Sequence, residues 1–188
     1  MVRIDTVVTR GGDGGETSLG DGTRLAKDTP RIEAIGAVDE ANAAIGLLRL
    51  QTRGDIESDA MLARVQNDLF DVGADLCVPG EGQRLRLTEA PVGRLEAEAA
   101  AMNAALPPLS SFVLPGGTPG AAHAHLARTA VRRAERRVVR LSSAEAVNPV
   151  LLRYLNRLSD HLFVLARWLN DHGAGDVLWV PGAGFGTG

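Results

Sequence analysis

The sequence predicts an all-α fold: a five-helix bundle preceded by an extended glycine-rich N-terminal loop. Three observations carry this prediction. Apolar residues recur at alternating spacings of three and four in several long stretches, the pattern of helices packing along a seam. Aromatic residues make up 4% of the 188-residue chain and alanine is abundant, which favours closely packed helices over sheets. Turn and breaker residues (Pro79 with Gly80 and Gly82, Pro107 with Pro108, Asn148 with Pro149) punctuate those stretches.

In chain order, residues 2–8 alternate weakly and fit a short strand or an extended arm. Thr9 to Gly22 is dense in glycine, hydroxyl and acidic residues. It cannot be helical, and by composition it fits a loose arm as well as a loop turning N–H groups around an anion. Lys27 and Asp28 lead to Pro30, a helix start. The first helix spans Arg31 to Gln51, with Ile35, Val38, Ile45 and Leu48 as core. Asp39 and Glu40 interrupt it and need partners if buried.

The second helix, Ile56 to Val78, has the strict seam Leu62, Val65, Leu69, Val72 and Leu76. The third, about Thr88 to Ala105, opens on Thr88 as N-cap candidate. Between Pro108 and Pro119 the run Phe112-Val113-Leu114 sits among turn signals, where apolar residues ordinarily plug the end of a core. The fourth helix carries the stretch His125 to Leu141. Its apolar stripe is Ala127, Val131, Ala134, Val138 and Leu141. Arg128, Arg132, Arg136 and Arg140 form a second stripe, with Arg133 and Arg137 beside it. Guanidinium forks suit phosphate or carboxylate oxygens, but such a row also serves as a solvated face or as ion pairs to neighbouring helices. The fifth helix runs from Asn148–Pro149 to about His172, with leucines at 151, 155, 158, 162, 165 and 169. The tail predicts a packed Trp179 and a frayed glycine-rich end.

One domain is expected, since no internal repeat or long linker divides the chain. Net charge is −3, so the arginine row is local, which disfavours a nucleic-acid binder. No stretch reaches membrane-spanning length and Met1 to Thr9 lacks an apolar signal core, predicting a cytoplasmic protein. The lone Cys77 is expected to be buried. His123 and His125 are too close in sequence to share a metal on one helix. His161 and His172 stand singly and are expected at the surface or at caps rather than as ligands. There is no Walker A sequence, no Glu-x-x-His pair and no nucleophile elbow. Arginines, one lysine near the glycine loop and scattered carboxylates suit orienting a polyphosphate better than acid–base hydrolysis.

Several segments together resemble the PduO-type ATP:cob(I)alamin adenosyltransferase family. They are Thr9-Arg10-Gly11-Gly12-Asp13-Gly14-Gly15-Glu16-Thr17 followed by Lys27-Asp28 and Arg31, then Gly36-Ala37-Val38-Asp39-Glu40-Ala41-Asn42. Further on come Phe112-Val113-Leu114-Pro115-Gly116-Gly117-Thr118, Arg132-Arg133-Ala134-Glu135-Arg136 and Tyr154-Leu155-Asn156-Arg157-Leu158-Ser159-Asp160. They keep the family's order and span nearly the whole chain.

The resemblance implies a homotrimer of such bundles with active sites between subunits. The substrates would be ATP with Mg²⁺ and cob(I)alamin, and the products adenosylcobalamin and triphosphate. It divides the chain into a nucleotide-binding arm (1–30), the bundle (31–172) and a tail (173–188). It places Thr9, Arg10, Gly11, Gly12, Asp13, Gly15, Thr17, Ser18, Lys27 and Arg31 around the nucleotide's phosphates. Arg132, Arg133, Glu135, Arg136 and Asn156 complete the nucleotide site. Asp39 would pair with Arg128 across a subunit boundary. Phe112, with Arg132 the expected catalytic residue, would close the underside of the corrin ring and hold cob(II)alamin four-coordinate for reduction. Mg²⁺ would be held mainly by the ATP phosphates. A flavin-type reductase and an adenosylcobalamin-dependent acceptor enzyme are the further implied partners. Two departures from the family's usual pattern are Gly14, where lysine is common, and Ala41, where leucine is common. The rival expectation is a nucleotide-binding regulatory bundle without turnover, which would bind nucleotide but no corrinoid.

Overall fold

The computed structural model describes residues 8–80 and 85–184; the expected strand or arm at 2–8 lies almost wholly outside them. The chain forms five helices: α1 (Pro30–Arg49), α2 (Ile56–Cys77), α3 (Glu89–Ala104), α4 (Pro119–Ser142) and α5 (Pro149–Trp168). Each starts where the sequence supplies the chemistry for it. Proline occupies the first turn of α1, α4 and α5, where its missing N–H costs nothing. Asp55, Thr118 and Asn148 accept backbone N–H groups at the starts of α2, α4 and α5. Thr88 stands at the N-cap of α3, but its hydroxyl makes no cap bond.

Helix α4 lies at the centre, packed on α1 and α5, while α2 covers α1 and α3 covers α5. The seams of α2 and α5 are buried throughout, from Leu62 to Leu76 and from Leu151 to Leu165. Ile35 is only half-buried, and Asp39 and Glu40 are exposed, so neither needs an internal partner. Helix α5 ends four residues before His172. The chain turns there, with Asp171 and His172 in left-handed conformations.

Two elements depart from the sequence reading. The N-terminal arm holds a short antiparallel hairpin, β1 (Glu16–Ser18) against β2 (Arg24–Ala26), with Thr17 opposite Leu25. Gly20 N donates to Cys77 O at 3.0 Å. A side chain at Gly20 would press on Val78, so the hairpin docks directly on the end of α2. Cys77, expected to be buried, is half-buried at that junction.

Polar groups cross the bundle at fixed points. Tyr154 is fully buried and donates its hydroxyl to Asp68 Oδ2 at 2.9 Å, while Arg94 pairs with the same carboxylate, joining α5, α2 and α3. Burial pushes the Asp68 carboxyl above its ordinary pKa, against the pull of Tyr154 and Arg94. His161, expected at the surface, is buried with Nε2 3.1 Å from Glu98 Oε2, and Arg64 holds Glu98 at 2.7 Å.

Leu158 is fully buried midway along α5. Leu158→Ala is expected to cost about 2–5 kcal/mol in denaturant unfolding, the range for buried leucine truncations. A loss below about 1 kcal/mol would place the main seam elsewhere.

Candidate functional site

Helix α4 sorts its arginines into two rows. Arg137 pairs with Glu33 at 3.2 Å and Arg133 pairs with Glu40. That row fastens α4 to α1. Arg128, Arg132 and Arg136 have no carboxylate within ion-pair distance among the described residues. Arg128 is half-buried, and its Nε is buried without a hydrogen-bond partner. Burial and the neighbouring Arg132 charge push its pKa below the ordinary arginine value. Asn156, on α5, donates to Glu135 Oε1 at 3.0 Å. The amide of α5 thus meets α4 at Glu135, the residue before Arg136.

The glycine-rich arm is a tight turn stapled from below. Asp13 N and Gly15 N donate to Arg10 O (3.3 Å) and Gly12 O (3.2 Å). Lys27 Nζ donates to Gly12 O at 2.8 Å, and Arg24 Nη2 to Gly11 O at 2.8 Å. Gly15 adopts φ +84°, a conformation that favours glycine, and a Cβ at Gly12 would meet the mobile end of Lys27, Nζ, at 2.9 Å. Thr9, Arg10, Asp13 and Ser18 are exposed and Thr17 is half-buried. Arg24, which the sequence reading did not single out, is as central to the turn as Lys27. Its signal was a cation on the returning strand, two residues before Ala26. No hydrogen bond or ion pair joins this arm to Arg128, Arg132, Arg136 or Asn156 among the described residues. Arg31 is engaged elsewhere: it is buried and donates to Glu145 Oε2 at 2.6 and 2.9 Å and to Leu76 O at 2.7 Å.

Asp39 is exposed on α1 and has no ion pair among the described residues. It stands at the rim of an apolar groove of about 400 Å³ between α1 and α2, walled by Ile35, Val38, Leu69 and Phe70. Phe70 is itself exposed.

Phe112 does not plug the bundle. Its side chain is 78% exposed, on a loop that the tail after α5 holds in place. Arg167 and Asp176 form a buried ion pair at 2.7 Å, and Arg167 Nη2 also donates to Pro107 O at 2.8 Å. Asn170 joins the other end of the loop: its Oδ1 accepts Thr118 N at 3.0 Å and its Nδ2 donates to Asp176 at 3.2 Å. Gly117 adopts φ +95° against that amide, leaving no room for a side chain. Trp179 is 45% exposed and packs on the Phe112 ring rather than on the helices.

Comparison with known proteins bears on these residues. The model of the cobalamin adenosyltransferase family matches residues 7–169. A cobalamin adenosyltransferase of Cupriavidus metallidurans is 52% identical over 181 residues, covering 94% of this chain and 95% of that protein. A corrinoid adenosyltransferase of Mycobacterium tuberculosis is 46% identical over 187 residues, 96% of each. Among solved structures, a variant PduO-type ATP:corrinoid adenosyltransferase from Lactobacillus reuteri complexed with cobalamin and ATP superposes with a TM-score of 0.88. It is 34% identical and covers 93% of this chain and 99% of that one.

Beside Arg128 lies His125, which is buried, has no hydrogen-bond partner for Nδ1 among the described residues and sets its ring against Phe163. Burial pushes its pKa below the ordinary value near 6.5, Arg128 adds to this, and Asp176 opposes it. The unfolded chain therefore binds this proton at a higher pH than the folded one. Stability from the neutral imidazole is present above about 6.5 and declines as pH falls toward the depressed folded value. His125→Gln is expected to flatten the fall in melting temperature between about pH 7 and 5; parallel curves for both proteins would rule this out.

Proposed function

The chain belongs to the cobalamin adenosyltransferase family, and from that we propose that it transfers the 5′-deoxyadenosyl group of ATP to the cobalt of cob(I)alamin. The cobalt supplies the electron pair of the new cobalt–carbon bond. The bond from C5′ to the triphosphate oxygen breaks, and its electron pair leaves with triphosphate. The protein then needs neither a nucleophile nor a strong base of its own. It must align C5′ with the metal and stabilise charge on the departing triphosphate.

The observation that carries the nucleotide half is the unpaired arginine row. Arg132 and Arg136 have no carboxylate within ion-pair distance among the described residues, whereas Arg133 and Arg137 of the same helix are neutralised by α1. Guanidinium groups left unpaired favour a polyanion. Asn156 and Glu135 supply directional hydrogen bonds there. Lys27 and the turn from Thr9 to Gly15 cover the phosphates; Lys27 exchanges the Gly12 carbonyl for a phosphate oxygen. Mg²⁺ would arrive on the ATP phosphates. Mg²⁺ supplies further charge neutralisation.

The site is shared between subunits of a trimer in this reading. Among the described residues, no hydrogen bond or ion pair links the arm to the arginine row, Asp39 has no ion pair, and the buried Nε of Arg128 has no hydrogen-bond partner. Pairing Asp39 with another subunit's Arg128 satisfies both and covers the groove beside Phe70. Light scattering is expected to give a trimer at micromolar concentration. Asp39→Arg or Arg128→Asp alone is expected to abolish most activity, with partial recovery when the two are combined; a stable monomer would exclude the shared site.

Phe112 carries the corrinoid half. An exposed phenyl on a pinned loop is placed to occupy the lower axial side of cob(II)alamin, keep it four-coordinate and so ease its reduction. Phe112→Ala is expected to leave the melting temperature and ATP affinity nearly unchanged and to lower turnover from cob(II)alamin steeply. Supplying cob(I)alamin should restore much of the rate. Equal impairment from both starting states, with a loss of about 3–5 kcal/mol in stability, would return Phe112 to a packing role. Arg132→Ala and Asn156→Ala are expected to weaken ATP use roughly tenfold or more, as loss of a charge-assisted or buried hydrogen bond does, with melting temperatures unchanged. Near-normal turnover at low ATP in both would misplace the nucleotide site.

A further inference from the structure

Three residues of the tail run antiparallel to the Phe112 loop. Val113 and Leu178 form a bridge, Trp179 N donates to Phe112 O at 2.8 Å, and Leu114 N donates to Val177 O at 2.7 Å. Ser111 Oγ donates to Trp179 O at 2.7 Å. In this register Phe112 lies directly opposite Trp179, and the rings meet with centroids 6.1 Å apart at 57°, the geometry of a cross-strand aromatic pair. The backbone of residues 111–114 has no such support from the helices. The buried Arg167–Asp176 pair fixes where the tail begins its run.

We propose that Trp179 is a positioning residue for Phe112: the tail strand clasps the loop and the indole braces the phenyl ring from one side, setting the direction in which it projects. This rests on the reading of Phe112 given above. Anchoring through Pro107 and Thr118 alone leaves ten intervening residues, between two proline brakes, free to carry the ring through several ångströms. A side chain that must displace an axial ligand needs tighter placement than that. The clasp supplies it without covering the outer face of the ring, which stays largely exposed.

The test is a double-mutant cycle between Phe112 and Trp179, read from both cobalt oxidation states. Trp179→Ala is expected to lower turnover from cob(II)alamin at least tenfold. The KM for ATP and the rate from pre-reduced cob(I)alamin should stay within about twofold of wild type. The electron paramagnetic resonance spectrum of bound cob(II)alamin should shift toward the five-coordinate form, and Trp179→Phe should recover most of the loss. In a Phe112→Ala background, Trp179→Ala should add no further loss. A silent Trp179→Ala, losses that multiply in the double variant, or equal loss from both oxidation states would overturn the proposal while leaving Phe112 in place. A silent Phe112→Ala would instead remove the role of Phe112, and this proposal with it. If Trp179→Ala does not fold, as judged by thermal melt, Trp179→Leu takes its place in the same cycle.

Discussion

The close approach of α4 to α1 and α5 is the constraint from which the rest follows. The buried face of α4 is mostly alanine, at 121, 124, 127, 130 and 134, with Val131, Val138 and Leu141. Small side chains let three backbones pack tightly, so the long arginine stems on the flanks of α4 lie along its neighbours instead of folding under them. On the α1 side they meet Glu33 and Glu40 and are neutralised. On the α5 side Asn156 instead donates to Glu135, and Arg128, Arg132 and Arg136 have no ion pair among the described residues. One helix thus is ion-paired to its neighbour along one edge and carries guanidinium groups without such pairs elsewhere. The difference comes from what the neighbouring helix presents, not from the arginines.

The helices were legible because their seams obey a local rule that burial enforces residue by residue. Leu62 to Leu76 and Leu151 to Leu165 show the three-four alternation and are essentially inaccessible. Two helix starts were legible for the same kind of reason, since Pro30 and Asn148–Pro149 act within a few residues of their own position, whereas Thr88, the expected cap of α3, makes no cap bond. The arginine row, the glycine turn and Phe112 were named from the sequence. Their packing was not: composition does not tell that Arg133 faces Glu40 while Arg132 faces none.

What stayed hidden depends on distant partners. The strands of the hairpin have three residues each and no apolar alternation to mark them; their own ladder and the docking of Gly20 on Cys77 give them shape. His161 looks like a surface residue until Glu98 is brought beside it. The run Val177 to Val180 reads as a short apolar tail. Its pairing with residues 111–114 spans some 68 positions, and no local signal encodes a register across that distance.

That long-range pairing has a consequence for the order in which the molecule takes shape. Everything that anchors the Phe112 loop, from Arg167 onward, is translated after α4 and most of α5. The helical seams involve nearer neighbours and form as the chain emerges, whereas the loop waits for the tail to arrive. A nascent chain in that interval is a bundle whose Phe112 loop has yet to meet the segment that pairs with it. The helical scaffold thus precedes the loop it carries, and the residues after Arg167 settle where the phenyl ring points.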